Sequence, residues 1–191
     1  MRFLEQKILT EGKVLKGDVL KVDGFLNHRM DVRILAQSGK EIYEHFKNCG
    51  VNKILTVEAS GIGLACFTAQ FFDCPVLVAK KHKSLNVSPD VYSSVAFSFT
   101  HQKENTIIVS KEYLSSADKV LIVDDFLANG NACLALIDIC KQAGAEVLGI
   151  SCAVEKTYME GYGKLTAMGY DVWSLAKIAS MDENGIKFVE E

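Results

Sequence analysis

No uncharged stretch in this sequence is long enough to cross a bilayer: the longest, Ala59 to Phe72, falls well short of the about 20 apolar residues a spanning helix needs. The opening MRFLEQKILTEGK puts Glu5, Gln6 and Lys7 where a secretory leader requires an unbroken apolar core, so the expected compartment is the cytoplasm. A surplus of charge is also missing. With 21 basic against 24 acidic residues the net charge is -3, which gives no overall field for a nucleic acid or an anionic membrane, and neither is expected as a partner. The six cysteines (Cys49, Cys66, Cys74, Cys133, Cys140, Cys152) include no CxxC pair, so small buried thiols are expected in place of disulfides or zinc ligands. The four histidines (His28, His45, His82, His101) lack metal-ligand spacing and receive no role. Repeats, low-complexity tracts and an interdomain linker are absent too. So are two common nucleotide signatures, because ASGIGLA has neither the lysine of GxxxxGK[ST] nor the spacing of GxGxxG. Any phosphate this chain recognises must be held locally.

What is present reads as one compact domain over residues 1–191: the length suits one, and a hydrophobic content of 49% is ample for a core. Apolar runs with the look of buried strands, KILTV (53–57), PVLVA (75–79), KVLIV (119–123) and EVLGISCAV (146–154), alternate with helical periodicity over Ile62–Phe72 and from about Asn131. That alternation predicts a parallel sheet covered by helices. An earlier helix, ILAQSGKEIYEHFKNCG (34–50), carries Leu35, Ile42 and Phe46 on one face and is expected to stop at Gly50. Two regions break the pattern. The stretch 80–110 contains two β-like runs amid charged sequence and predicts a hairpin projecting from the sheet. GDVLKVDGFLNHRMDV (17–32) and YDVWSLAKIASMDENG (170–185) have β-like character and are expected to form a small cap over the strand ends, where open α/β sheets bind their ligands.

The most informative stretch is VLIVDDFLANGNACLAL (120–136). Carboxylates at a strand's C-terminal end, here Asp124 and Asp125, accept hydrogen bonds from adjacent hydroxyls. The backbone N–H groups of Ala128, Asn129, Gly130, Asn131 and Ala132, with the helix start behind them, form an anion nest. A vicinal diol with a terminal phosphate, hence a phosphorylated sugar, fits both halves. An ordinary strand-to-helix loop with aspartates near its cap fits the same residues, and the spacing alone does not separate the two.

VLIVDDFLANGNA, taken with EASGIG (58–63) and KKHK (80–83), resembles the substrate signature of type I phosphoribosyltransferases. The likeness extends over essentially the whole chain and is to the bacterial, xanthine-using branch of purine salvage. The resemblance implies a type I phosphoribosyltransferase fold: a central parallel sheet flanked by helices, a flexible β-hairpin lid at about 82–106, and a cap from about 1–33 and 155–191. It implies transfer of the 5-phosphoribosyl group from 5-phosphoribosyl 1-pyrophosphate to xanthine. In that picture Asp124 and Asp125 hold the ribose hydroxyls and favour positive charge developing at the anomeric carbon. Residues 128–132 receive the 5-phosphate through backbone N–H groups, since this loop lacks the threonines and glycine pair of many relatives. Glu58, Ala59, Ser60 and Gly61 receive the pyrophosphate, with Lys81 favoured over Lys80 as the basic residue reaching it. Lys156 meets the purine carbonyl, and Leu20 and Asn27 contact the base from the cap. Mg²⁺ is expected to arrive on substrate oxygens with no dedicated protein ligands, and a homodimer is implied.

Two other classes compete. A regulator that keeps this fold to sense the phosphoribosyl donor would need a nucleic-acid-binding domain or basic face, and there is no spare length ahead of Ile34 and no basic surplus. An unrelated α/β nucleotide binder would want one of the glycine signatures excluded above. Within the transferase reading, adenine or guanine and hypoxanthine are the alternative bases.

Overall fold

The computed structural model describes residues 2–81, 90–98, 103–182 and 185–190. The chain opens with helix α1 (Phe3–Glu11), a short hairpin of β1 (Lys13–Leu15) and β2 (Val19–Lys21), a π-type turn over Asp23–Asn27, and α2 (Val32–Phe46). There follow β3 (Lys53–Val57), α3 (Ile62–Phe72), β4 (Val76–Ala79), and the paired strands β5 (Val91–Ser98) and β6 (Lys103–Ser110). Strand β7 (Lys119–Leu127), helix α4 (Asn131–Ala143), β8 (Glu146–Lys156), α5 (Gly161–Ala167), β9 (Val172–Asp182) and β10 (Gly185–Phe188) complete it.

Six strands form the main sheet in the order β10-β9-β8-β7-β3-β4. Every pairing is parallel except that of β9 with the edge strand β10. The apolar runs become buried strands because both faces are covered. Leu121 and Val123 of β7 join the core beneath α1, α2 and α3, whereas Val120 and Ile122 join the core against α4. Alternation along one strand thus feeds two hydrophobic layers. Central β7 places its C-terminal end between those of β3 and β8.

Several elements differ from the sequence expectation, each for a visible reason. Helix α2 ends at Phe46, before Gly50, because residues 47–50 are exposed and offer no buried face to prolong it; Phe46 itself packs onto Gly149, where an added Cβ would lie 2.3 Å from the ring. Strand β7 runs past the expected residue 123 to Leu127, carried by pairing with β8 as far as Leu127↔Glu155, so both aspartates lie within the strand. Residues 172–178 pair with β8 as a strand of the main sheet, where a cap had been expected. The expected lid falls partly outside the described residues, at 82–89 and 99–102, and His82 and His101 lie there as well. Its described strands form a separate antiparallel ribbon docked on α4, where the Gln142 side-chain amide donates to Ser93 O at 2.8 Å. Of the six cysteines, Cys133, Cys140 and Cys152 are buried as expected, but Cys49 and Cys66 are exposed. No helix among the described residues is long and apolar enough to cross a membrane.

Candidate active site

Three segments meet at the C-terminal ends of β3, β7 and β8. From β7 come Asp124, which is buried, and Asp125, which is half-buried. One oxygen of Asp124 accepts the N–H of Asp125 at 2.9 Å. Burial first, then the neighbouring Asp125 charge and the Cys133 thiol, push the Asp124 carboxyl well above the ordinary carboxylate range. Asp125 instead accepts a hydrogen bond from the Asn27 side-chain amide at 3.2 Å. The two carboxylates therefore occupy different settings, one desolvated and one partly open to solvent and tied to the N-terminal segment.

The turn after β3 lies against Asp124. Gly61 approaches so closely that an added Cβ would stand 2.5 Å from Thr56 Oγ1 and 2.8 Å from Asp124 Oδ1. Glu58 binds the next strand end: one oxygen accepts the Lys81 backbone N–H at 2.6 Å, and the other lies 3.5 Å from the Lys80 ammonium. The peptide bond between Glu58 and Ala59 is cis. Lys80 also exchanges two backbone hydrogen bonds of 2.9 Å with Ile108 of β6, which joins this turn to the hairpin. Of the two lysines, Lys80 is the one whose ammonium sits against Glu58, while Lys81 contributes its backbone there.

The loop 128–132 turns from β7 into α4. Gly130, at φ 78°, takes the left-handed conformation that glycine adopts without a Cβ penalty. Helix α4 has no acidic residue in its first turn and no side-chain cap at its start, and its first intrahelical bond runs from Leu134 N to Gly130 O. The N–H groups of Ala132 and Cys133 precede that bond, at the positive end of the helix dipole. Beneath the loop sits Gly161, whose N–H donates to Ala128 O at 2.9 Å. A Cβ on Gly161 would come within 2.4 Å of that oxygen and 2.8 Å of Gly130 N.

Of the residues expected at the base, Asn27 lies against Asp125, and Lys156 stands at the end of the neighbouring strand β8. Lys156 closes β8 with its ammonium donating to the Asp18 carbonyl and, at 3.2 Å, to the Asp18 carboxylate; the Tyr158 hydroxyl donates to the other Asp18 oxygen at 2.6 Å. Burial and then Asp18 raise the Tyr158 phenol above its ordinary value. Leu20 lies buried in the core shared with α1 and α2, while Asn27 reaches Asp125 as described. Sequence reading missed Thr56, Gly161 and Asp18. KGDV announces only a turn, and neither the closeness of Gly161 to a loop thirty positions away nor that of Thr56 to Asp124 leaves a local trace.

The arrangement is that of an α/β protein with two carboxylates toward the end of a central parallel strand and a turn or loop beside them from each of two strand ends. The family model described as phosphoribosyl transferase domain matches residues 23–177, and the chain belongs to that family. Among its relatives, the xanthine phosphoribosyltransferase of Ruminiclostridium cellulolyticum is 51% identical over 190 residues, covering 100% of both chains. That of Acinetobacter baumannii is 48% identical over 191 residues, again covering 100% of both. Among solved structures, the APRTase of Giardia lamblia in complex with 9-deazaadenine has a TM-score of 0.75 at 25% identity, covering 87% of this chain and 93% of that one. The adenine phosphoribosyltransferase of Trypanosoma brucei, in complex with AMP, pyrophosphate and ribose-5-phosphate, also gives 0.75, covering 91% and 79%; at 16% identity it shares the fold.

Proposed function

We propose that the protein transfers the 5-phosphoribosyl group from 5-phosphoribosyl 1-pyrophosphate to xanthine, giving xanthosine 5'-monophosphate and pyrophosphate. The observation that carries the reaction class is the packing of the 58–61 turn against Asp124, on the strand that leads through Asp125 into the 128–132 loop. Full-length identity of about half to enzymes named for xanthine supports the choice of base. In this reading the 128–132 loop holds the 5-phosphate, Asp125 and Asp124 hold ribose hydroxyls, and Glu58 to Gly61 with Lys81 or Lys80 surround the pyrophosphate. The bond from the anomeric carbon to a pyrophosphate oxygen breaks, the electron pair leaving with pyrophosphate, as a base nitrogen bonds to that carbon from the opposite face and releases its proton to water or to the departing pyrophosphate. Fixed carboxylates beside the ring favour the positive charge that develops there. A ribose cation open to water would be hydrolysed, so the transfer requires water to be excluded from the site.

Asp124 and Asp125 are hard oxygen donors, which fits Mg²⁺ carried mainly on substrate oxygens. When bound, Mg²⁺ neutralises charge on the leaving pyrophosphate.

Base choice follows from Lys156. An ammonium has donors and no acceptor, so it suits the six-position carbonyl of xanthine, hypoxanthine and guanine and faces the adenine amino group donor to donor. A missing contact in a closed site costs about 1–3 kcal/mol. Turnover measured with the four bases and 5-phosphoribosyl 1-pyrophosphate is expected to rank xanthine first and adenine last by at least roughly tenfold in kcat/KM. Equal kcat/KM for xanthine and adenine would overturn the assignment.

A further inference from the structure

Asp18 occupies the turn of the β1–β2 hairpin at φ 60°, in the left-handed region. All three of its oxygens are engaged by residues at the end of β8: the carbonyl and Oδ2 by Lys156, and Oδ1 by the Tyr158 hydroxyl. The interaction spans 138 positions of sequence. Lys156 is 9% exposed, and among the described residues Asp18 is its acidic partner. Lysine carries its charge on a flexible four-carbon stem, so by itself it fixes no direction for a hydrogen bond. Two of the three ammonium N–H bonds already end on Asp18; tetrahedral geometry then aims the third. The same hairpin carries Leu20, two residues beyond Asp18, which packs into the core next to α1 and α2.

We infer that Asp18 is a positioning residue that sets base specificity: it aims the remaining Lys156 donor at the base carbonyl and locks the β1–β2 hairpin to the end of β8. This deepens the proposed function and rests on its assignment of the base to Lys156. Asp18 does not touch the reacting atoms, and its effect is confined to the base.

Two variants test it. Asp18→Asn keeps the shape and tolerates the left-handed conformation but removes the charge, while Asp18→Gly suits that conformation and removes the side chain. Both are first checked for thermal protection by 5-phosphoribosyl 1-pyrophosphate with Mg²⁺, which reports a folded donor site independently of the base. The expected result is a KM for xanthine raised roughly tenfold or more, the size set by losing a hydrogen bond from a charged donor to the base carbonyl. The KM for 5-phosphoribosyl 1-pyrophosphate and kcat stay within about twofold, and the preference for xanthine over adenine narrows in both variants. An unchanged KM for xanthine in both, or an equal rise in the KM of both substrates with base preference intact, would overturn the inference and leave Asp18 as a pin for the hairpin. If the unaltered protein itself does not use xanthine, the functional reading fails first; if it does and the variants match it, only the inference fails.

Discussion

Gly161→Ala is the sharpest test of how the phosphate loop is held. The residue begins α5, and its backbone is not in the left-handed region, so alanine suits its conformation; only space forbids it. The added methyl would lie 2.4 Å from Ala128 O, about 1 Å inside ordinary contact, and 2.8 Å from Gly130 N. Both atoms are backbone, and the loop cannot yield by rotating a side chain. Either the loop moves by about 1 Å or α5 shifts away and gives up the bond from Gly161 N to Ala128 O. Overpacking of this kind costs about 1–3 kcal/mol of stability, and a displacement of about 1 Å in a positioning element can lower catalysis by roughly 10²-fold. Steady-state kinetics should therefore show kcat/KM for 5-phosphoribosyl 1-pyrophosphate reduced by about that factor, with its thermal protection diminished. Gly163→Ala is the control, because a methyl there meets nothing within 4 Å. That change should leave activity intact and raise stability by roughly 0.5–1 kcal/mol through helix propensity. A Gly161→Ala protein with normal kinetics would refute the claim that this glycine fixes the loop.

Asp124 gives a second expectation, in stability. Its carboxyl is raised above the ordinary value by burial and by Asp125, so between the ordinary and the raised value the folded protein keeps a proton that the unfolded chain has released. Folding stability consequently falls as pH rises through that window, and the deficit is complete above it. Asp124→Asn, whose amide oxygen can still accept the Asp125 N–H, should melt higher than the unaltered protein near pH 8 while losing most turnover; below about pH 4 the gain should vanish. Identical melting temperatures at pH 8 would count against the buried charge. Third, 5-phosphoribosyl 1-pyrophosphate with Mg²⁺ should raise the melting temperature, by about 2.7 kcal/mol of linkage at a hundred times its Kd, and ATP or NAD should not. Protection by ATP or NAD alone would point to a different ligand class.

The strands buried on both faces, such as ILTV at 54–57 and VLIV at 120–123, were legible because burial on both sides leaves a run that is apolar throughout or broken only by the buried Thr56. The helix at 62–72 and the start of α4 near Asn131 were legible from periodicity. DDFLANGNA stood out because acidic and small residues interrupt such a run. Sheet membership was harder. Residues 172–182 mix buried Val172, Ser174 and Leu175 with exposed Ser180 and Asp182, and that pattern describes a strand leaving a sheet as well as one in a cap. Contacts across the chain were the least visible. Nothing near Asp18 in the sequence names Lys156, and nothing near Asn27 names Asp125, because such pairings depend on how hairpins fold back over strand ends.

The Asn27 to Asp125 hydrogen bond joins residues 98 positions apart, one in the segment over the strand ends and the other on the central strand. On the proposed assignment it also joins the two halves of a bisubstrate site, and two ligands that each disturb one end of a shared bond are not independent. Whatever free energy the sugar gains or loses when the base is present, the base must gain or lose when the sugar is present, since coupling between binding sites is reciprocal. On that assignment the bond couples the two substrates without any movement of domains: affinity measured for either one should depend on the other, and the dependence should shrink when Asn27 is replaced by alanine.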